Sequence, residues 1–230
     1  MAIAVVTGSS KGIGRDIALL LLKLGYNVVG ISKSKSDIKH IKFHELLCDL
    51  TNKEQMAKAI SSLNKEDEIT LLFNIAGFGV FRPHEEIKPE IIYSMVALNL
   101  SAPMVLTQAL LRKLKQNHGK IFNITSIEAL RSSKFSALYS ATKSGLKAFG
   151  NALFEEVRKS GVGVINIQPD ITQTSFFDNL SFCPAKAHDT KLYAKDIADI
   201  VENILQLREG VVVTDITVRA QKFAIIKKPL

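Results

Sequence analysis

The chain has 230 residues and a mass of 25.3 kDa, a length that fits one large domain. Its 47% apolar and 23% charged residues exclude a disordered or collagen-like chain. The net charge of +8 is typical of proteins that bind nucleic acid, membrane surfaces or anionic small molecules. Because the basic residues are spread along the chain, except for a small cluster between Lys33 and Lys42, we expect a basic solvated surface and no nucleic-acid partner.

The cysteine content and the hydropathy of the chain predict its cellular compartment. Two cysteines, Cys48 and Cys183, cannot form a disulfide framework, which indicates a reducing cytoplasm. No apolar run reaches the ~18–20 residues of a membrane span, and no basic leader precedes the first apolar stretch. The five histidines lack zinc-site spacing, so no metal is expected.

Apolar runs alternate with longer helical patterns along the whole chain, which predicts an α/β fold. We expect a single domain with a parallel, doubly wound sheet of about seven strands in three layers. The predicted strands are Ala2–Val6, Val28–Ile31, Phe43–Cys48, Ile69–Phe73, Lys120–Ile124, Val162–Gln168 and Val211–Val218. The predicted helices are Ile13–Leu24, a helix capped by Thr51 or Asn52 and ending at Leu63, Pro89–Gln116 with an interruption near Asn99–Pro103, Leu138–Lys159, and Lys195–Leu207.

A glycine-rich turn joins the first predicted strand to the first helix. Such a turn needs glycine for the bend, for close approach of the backbone to a pyrophosphate, and for helix packing. The helix N-terminus then offers free N–H groups to phosphates. A merely glycine-rich turn is the alternative, but its place at the first strand–helix junction favours a dinucleotide. The residues expected to contact it are Gly8, Ser10, Lys11, Gly12, Ile13 and Gly14.

The glycine spacing resembles that of the short-chain dehydrogenase/reductase family, and further motifs agree. Asn74-Ile75-Ala76-Gly77 resembles the family's NNAG segment, with Ile75 in place of the second asparagine, and Cys48-Asp49-Leu50 resembles the segment that holds the adenine amino group. Asn99, Ser126, Tyr139 and Lys143 match the catalytic tetrad in order and spacing. The resemblance covers residues 2 to about 175 and implies a Rossmann-type oxidoreductase. One departure is Asp170, which replaces the glycine that usually follows Pro169.

The tetrad also makes chemical sense from its residue types. Tyr139 and Lys143 lie one helical turn apart and can share a pocket. A nearby ammonium is expected to lower the pKa of the phenol from its usual ~10. Tyr139 can then donate a proton to a carbonyl oxygen, and Ser126 can hydrogen-bond the same oxygen. The resemblance further implies that Lys143 holds the nicotinamide ribose and that Asn99 sustains a proton relay.

The end of the second strand bears on the choice of nicotinamide. Ser32 stands where an acidic residue would select NAD(H), and Lys33 follows it. Together with Lys11, Lys33 is expected to stabilise a 2′-phosphate, so the sequence predicts NADP(H), with NAD(H) the less favoured cofactor. The other cofactor contacts that the resemblance implies are Asp49, Leu50, Asn74, Ala76, Gly77, Tyr139, Lys143, Pro169, Ile171 and Thr174.

Apolar residues in the connecting loops, most of them aromatic, predict an apolar substrate pocket. They are Phe78, Phe81, Leu130 and Phe135, with Phe176, Phe177, Leu180 and Phe182 in a flap that the resemblance assigns to 175–193. Arg131 and Lys134 are interpreted as exposed loop charges rather than substrate contacts.

The favoured function is an NADP(H)-dependent carbonyl reductase or alcohol dehydrogenase for a small, partly apolar substrate. The alternative is a protein of the same fold that senses NADP(H) without turnover. Analogy with the family implies a homodimer or homotetramer with no membrane partner.

Overall fold

A computed structural model of the chain describes residues 2–131 and 133–228. The strands are β1 Ile3–Thr7, β2 Asn27–Ser32, β3 Phe43–Leu47, β4 Ile69–Asn74, β5 Lys120–Ile124, β6 Gly163–Pro169, β7 Thr172–Gln173, β8 Phe182–Pro184, β9 Leu192–Tyr193, β10 Asp215–Val218 and β11 Ile225–Lys227. The α-helices are α1 Gly12–Lys23, α2 Lys53–Leu63, α3 Pro89–Val96, α4 Ala102–Gln116, α5 Ala137–Val157 and α6 Ala194–Leu205.

Seven strands form one parallel sheet in the order β10-β6-β5-β4-β1-β2-β3. Helices α1 and α6 cover one face, and α2, α4 and α5 cover the other. The predicted three-layer, doubly wound fold is confirmed. The strand order reverses between β1 and β4, and this switch point opens a crevice at the carboxyl ends of the strands, where ligands bind in open α/β sheets.

Strand β1 shows why the sheet strands read as continuous apolar runs. Ile3 and Val5 pack among the residues of one core, and Ala4 and Val6 pack in the other. Because both faces are covered, neither set of alternate residues is free to be polar.

A row of asparagines crosses the middle of the sheet. Asn74 Nδ2 donates to Asn123 Oδ1 at 2.9 Å, and Asn123 Nδ2 donates to Asn166 Oδ1 at 3.1 Å. The three residues are paired in register on β4, β5 and β6 and are at most 2% exposed. This row, which the sequence analysis missed, fixes strand register because a slip of one residue would separate every amide from its partner.

Two of the predicted elements differ from the structure. The expected interruption near Asn99–Pro103 is a π-helical turn at 97–101 that joins α3 to α4 without ending the helix. Pro103 lacks the N–H that would pair with the carbonyl four residues earlier, and the wider turn accommodates this loss. The seventh strand begins at Asp215 rather than Val211, since Val212 and Val213 pack against the core without joining the ladder.

Two short sheets were not predicted. Strands β7 and β9 pair in parallel, and β8 pairs antiparallel with β11 near the end of the described chain. Each of these strands has only two or three residues, too few for a periodic pattern to show.

Within the described residues, one helical stretch, Pro89–Gln116, is long and apolar enough to cross a membrane. Leu106, Leu110 and Leu114 on this stretch are fully buried in the core against the sheet. It is therefore a core helix of the fold.

Candidate active site

The glycine-rich turn after β1 is packed so closely that its glycines cannot be replaced. Gly8 and Gly12 have φ angles of +70° and +58°, a region that favours glycine. A Cβ on Gly8 would lie 3.1 Å from the Ala76 backbone nitrogen, and one on Gly14 would overlap the Gly8 carbonyl oxygen. The N-terminus of α1 is thus brought against the end of β1 with its N–H groups open, a geometry that fits a pyrophosphate.

Thr7, which the sequence analysis left unassigned, connects this turn to the next strand. Its buried hydroxyl donates to the Phe73 carbonyl at 3.1 Å and accepts from the N–H groups of Ile75 and Ala76 at 2.8 and 3.1 Å. The segment Asn74–Gly77 is therefore held beside the turn. Asn74 Nδ2 donates to Thr107 and within the asparagine row, whereas the buried Asn74 Oδ1 has no hydrogen-bond partner among the described residues.

The acidic residue after β3 changes the interpretation of Lys33. Asp49 Oδ2 lies 2.9 Å from Lys33 Nζ. Hydrogen bonds from Thr51 and Lys33 lower the pKa of Asp49 to about 2. Folding thus brings a carboxylate onto Lys33, and a 2′-phosphate would have to compete with Asp49 for its ammonium. Lys11, the N-cap residue of α1, is exposed and has no carboxylate partner among the described residues.

Leu50, Ser32 and Ser10 are also predicted from the sequence to contact the cofactor. Leu50 is buried with Cys48 and Met56 in the core, which leaves its main chain for a ligand. Ser32 donates to the Ser34 carbonyl at 2.8 Å, and Ser34 donates to the Ser10 hydroxyl at 3.2 Å. These contacts tie the end of β2 to the glycine-rich turn.

Helix α5 carries two members of the predicted tetrad into the crevice. Tyr139 and Lys143 are both buried, and the hydroxyl of Ser126 at the end of β5 is near enough to Tyr139 to lower its pKa. Lys143 Nζ donates to the Ile124 carbonyl at 2.9 Å and lies 5.9 Å from the centroid of the Tyr139 ring. The three groups predicted to act together are therefore adjacent.

The electrostatics of this group differ from the prediction. The pKa of Tyr139 is raised to about 12: burial is the largest cause, the Ser126 hydroxyl acts in the opposite direction, and the charge of Glu128 contributes to the rise. Burial also lowers the pKa of Lys143 to about 8. The expected depression of the phenol pKa by the ammonium is absent because desolvation dominates. Tyr139 is consequently a protonated acid at neutral pH.

Asn99, the fourth member, is fully buried in the π-helical turn. Its Oδ1 accepts from the Phe78 N–H at 3.0 Å, and its Nδ2 donates to the Phe78 carbonyl at 2.8 Å and to Thr142 Oγ1 at 3.2 Å. The side chain is thus fully engaged in fixing the loop after β4 against α5. A proton relay through Asn99 would have to use its main-chain carbonyl.

These residues open onto a cavity of about 610 Å³ at the carboxyl ends of the strands. Eight residues predicted from the sequence line it: Ile13, Gly77, Ser126, Tyr139, Lys143, Pro169, Ile171 and Thr174. Thr174 also contacts the turn, since a Cβ on Gly12 would lie 3.2 Å from the Thr174 Cβ. The cavity therefore extends from the glycine-rich turn to the Tyr139 hydroxyl.

An aromatic wall closes one side of the cavity. The Tyr139 ring lies 5.2 Å from Phe81 and 5.8 Å from Phe176, and Phe182 lies 5.3 Å from Phe81. Phe135 and Phe177 also belong to the predicted apolar lining, whereas Phe78, Leu130 and Leu180 lie outside the cavity.

The sequence analysis missed two groups in the lining. Phe223, Ile225, Lys227 and Lys228 come from the segment around β11, which pairing with β8 brings over the cavity. Glu128 is buried two residues after Ser126, and its N–H donates to the Ser126 hydroxyl at 3.2 Å. An acidic residue between Ser126 and Tyr139 was the sequence signal that could have identified Glu128 as a site residue. Arg131 and Lys134, interpreted as exposed loop charges, also line the cavity.

The described residues contain no group of three or more histidine, cysteine, aspartate or glutamate side chains that could hold a metal ion.

The site can now be compared with known proteins. The short chain dehydrogenase family model matches residues 2–182. An uncharacterised oxidoreductase of Staphylococcus saprophyticus is 31% identical over 229 residues, covering 94% of this chain and 96% of that protein. A second, from Staphylococcus epidermidis, is 30% identical over 227 residues, with the same coverage.

Solved structures agree on the fold. An alcohol dehydrogenase from the archaeon Thermococcus sibiricus, complexed with 5-hydroxy-NADP, superposes with a TM-score of 0.83 at 24% identity over 96% of this chain and 97% of that one. A 4-hydroxyisoleucine dehydrogenase complexed with NADH superposes with a TM-score of 0.84 at 20% identity, covering 96% of this chain and 98% of that one. With the glycine-rich turn and the Ser126–Tyr139–Lys143 group at its switch point, the chain belongs to the short-chain dehydrogenase/reductase family of oxidoreductases.

Proposed function

We propose that the chain is an NADP(H)-dependent oxidoreductase that interconverts a carbonyl group and an alcohol in a small, partly apolar molecule. The observation that carries the proposal is the meeting of Ser126, Tyr139 and Lys143 in a cavity that reaches the glycine-rich turn.

The residues present fit a nicotinamide dinucleotide. Main-chain N–H groups at the start of α1 would hold its pyrophosphate, and Thr174 and Ile171 line the part of the cavity beside the turn. When bound, the cofactor supplies or accepts the hydride at the substrate carbon. The acidic and hydrogen-bonding groups come from the protein.

Tyr139 donates its phenolic proton to the oxygen of the carbonyl, and Ser126 hydrogen-bonds the same oxygen as negative charge develops there. A pKa of about 12 keeps Tyr139 protonated at neutral pH, which is the form that can donate a proton to the carbonyl oxygen. The buried ammonium of Lys143, charged below its pKa of about 8, stabilises the phenolate left behind.

The preference for NADP(H) is supported by three residues at the adenosine end. Ser32 presents no carboxylate to a 2′-phosphate, and Lys11 is an exposed cation without a carboxylate partner in the part of the chain that the structure describes. Lys33 is 81% exposed and can turn from Asp49 toward a phosphate, which carries more charge than a carboxylate. The measurement is a comparison of the dissociation constants of NADPH and NADH, with tighter NADPH binding expected.

The proposal extends to a cytoplasmic, single-domain homo-oligomer, either a homodimer or a homotetramer, without nucleic-acid or membrane partners. Exposed apolar side chains on the α3–α4 stretch, such as Tyr93 at 74% and Val105 at 44% exposure, support self-association. Light scattering of the purified protein tests the oligomeric state.

The decisive experiment follows NADPH absorbance with a panel of ketones, aldehydes and quinones. Tyr139→Phe should lower turnover by about 10²–10⁴-fold, because the proton donor is lost, while NADPH binding stays close to the original. Tyr93→Phe is the matched control, since Tyr93 is an exposed tyrosine on α3.

Retained turnover in Tyr139→Phe contradicts the assignment of the acid. NADPH binding without turnover of any panel member contradicts the reductase and supports the sensing alternative.

A further inference from the structure

Arg131 is held in place at the substrate end of the cavity. Its Nε donates to Glu128 Oε1 at 2.7 Å, and its Nη2 lies 4.0 Å from Asp170 Oδ1, beyond hydrogen-bond distance. The guanidinium carbon lies 5.4 Å from the centroid of the Phe223 ring. The hydrogen bond to Glu128, three residues earlier, and the approach to Asp170 and Phe223, both distant in sequence, thus fix the orientation of the guanidinium.

The two carboxylates that hold Arg131 are buried and already engaged. Glu128 also accepts from the Ser133 hydroxyl at 2.9 Å. Asp170, at the position where the family usually has glycine, accepts from the Ile171 N–H at 2.9 Å and from Arg219 Nε at 3.2 Å. Their side chains are 8% and 4% exposed, against 37% for Arg131.

This arrangement leaves one edge of Arg131 free. Glu128 occupies the Nε edge, and no acceptor among the described residues lies within hydrogen-bond distance of the terminal nitrogens. Because Arg131 lines the cavity, those nitrogens form a rigid, partly desolvated fork of the kind that binds a carboxylate or phosphate through two hydrogen bonds.

The other charges of the lining favour the same ligand. Lys228 Nζ donates to the carbonyls of Phe177 and Asp178, and neither Lys134 nor Lys227 has a carboxylate partner in the described part of the chain. The positive residues of the lining outnumber the two carboxylates, Glu128 and Asp170: they are Arg131, Lys134, Lys143, Lys227 and Lys228. The cavity therefore attracts anions.

We infer that the substrate is a carbonyl compound whose apolar body ends in an anionic group, a carboxylate or a phosphate, and that Arg131 binds this group. The inference rests on the proposed function. Glu128 connects the two ends of the substrate site, since its N–H donates to Ser126, which meets the carbonyl oxygen, and its side chain orients Arg131. The aromatic wall accommodates the apolar body between them.

The test measures kcat/KM with matched charged and neutral ketones. The probes are benzoylpropionate with its methyl ester, and hydroxyacetone phosphate with hydroxyacetone, which distinguish a carboxylate from a phosphate. The protein should favour the charged member of at least one pair by about tenfold or more, as expected for a charge-assisted, bidentate contact.

Arg131→Met should reduce this ratio by about 10–100-fold, mainly through KM of the charged substrate. Arg131→Lys retains the charge without the fork and should give an intermediate ratio, which keeps the test valid if Arg131→Met does not fold. Arg158→Gln is the control, because Arg158 is an exposed arginine paired with Glu155 at the end of α5, and it should leave the ratio unchanged.

Failure of this inference is distinguishable from failure of the proposed function. If both members of each pair are reduced equally and the Arg131 variants do not alter the ratio, the inference is overturned and the reductase stands. If none is reduced, calorimetric titration of the probes into the protein–NADPH complex decides. If a charged probe binds more tightly than its neutral partner, and Arg131 is required for the difference, the anion site is supported without the reductase. If the two probes of each pair bind equally or not at all, both the anion site and the reductase are overturned.

Discussion

A glycine on α5 controls how closely the catalytic helix approaches the sheet. Gly150 is buried over the asparagine row, where a Cβ would overlap Asn166 Oδ1 and lie 2.8 Å from Asn123 Nδ2. Tyr139 and Lys143 lie on the same helix. We therefore predict that Gly150→Ala destabilises the fold and impairs the site together.

Two opposing effects set the size of the change in the free energy of unfolding. In a helix interior, replacing glycine with alanine gains about 1 kcal/mol of helix propensity. Here the extra methyl group overpacks the interface, at a cost of about 1–3 kcal/mol, and separates buried amides that cost about 1–3 kcal/mol when left unpaired. The net loss is about 1–5 kcal/mol, and its middle value of about 3 kcal/mol corresponds to a fall in Tm of about 6–12 °C for a chain of this length. Steric overlap outweighs propensity.

The same substitution elsewhere on α5 provides the control. A Cβ on Gly145 would lie 3.2 Å from the methyl groups of Leu100, a flexible side chain that can move by the few tenths of an ångström required. Gly145→Ala should therefore leave Tm unchanged or slightly raised. Thermal unfolding followed by circular dichroism, with kcat of each variant, makes the comparison. Equal stability of the two variants would refute the reasoning.

Two further predictions concern charge. First, kcat/KM for carbonyl reduction should fall above pH about 8, because burial lowers the pKa of Lys143 to about 8 whereas Tyr139, with a pKa of about 12, keeps its proton. In Lys143→Arg the fall should move to higher pH even if activity is reduced, and a fall that stays near pH 8 contradicts the assignment. Second, Asp49→Asn should raise the affinity for NADPH relative to NADH several-fold by releasing Lys33, because the loss of any Asp49 contact with the adenine affects both cofactors alike. Fluorescence titration measures both constants, and an equal change for both cofactors would show that Lys33 does not contact the 2′-phosphate.

The parts of the molecule that were predictable from the sequence are those encoded locally. Gly8, Gly12 and Gly14 are required by one short turn, and their spacing is visible in the chain. Tyr139 and Lys143 are brought together by the pitch of a single helix. The sheet followed from the alternation of buried strands with amphipathic helices, which each element shows by itself.

The remainder depends on contacts between distant segments. The pairing of Lys33 with Asp49 and of Arg131 with Asp170 arises only when separate strand ends meet. The pKa of Tyr139 follows the depth of burial, which a sequence pattern does not report. Strand β11 is too short to predict and is stabilised by β8, about forty residues away.

The pairing of β8 with β11 places a separate segment of the chain over the substrate end of the cavity. Every group assigned to proton transfer and to the dinucleotide lies before residue 175, whereas Arg219, Phe223, Ile225, Lys227 and Lys228 roof the far end of the cavity or brace its arginine. Exchanging residues 219–228 would therefore alter which molecules enter without disturbing the reaction they undergo. In descendants of this gene, a new substrate range could arise from changes confined to this short stretch, while the reactive apparatus is inherited intact.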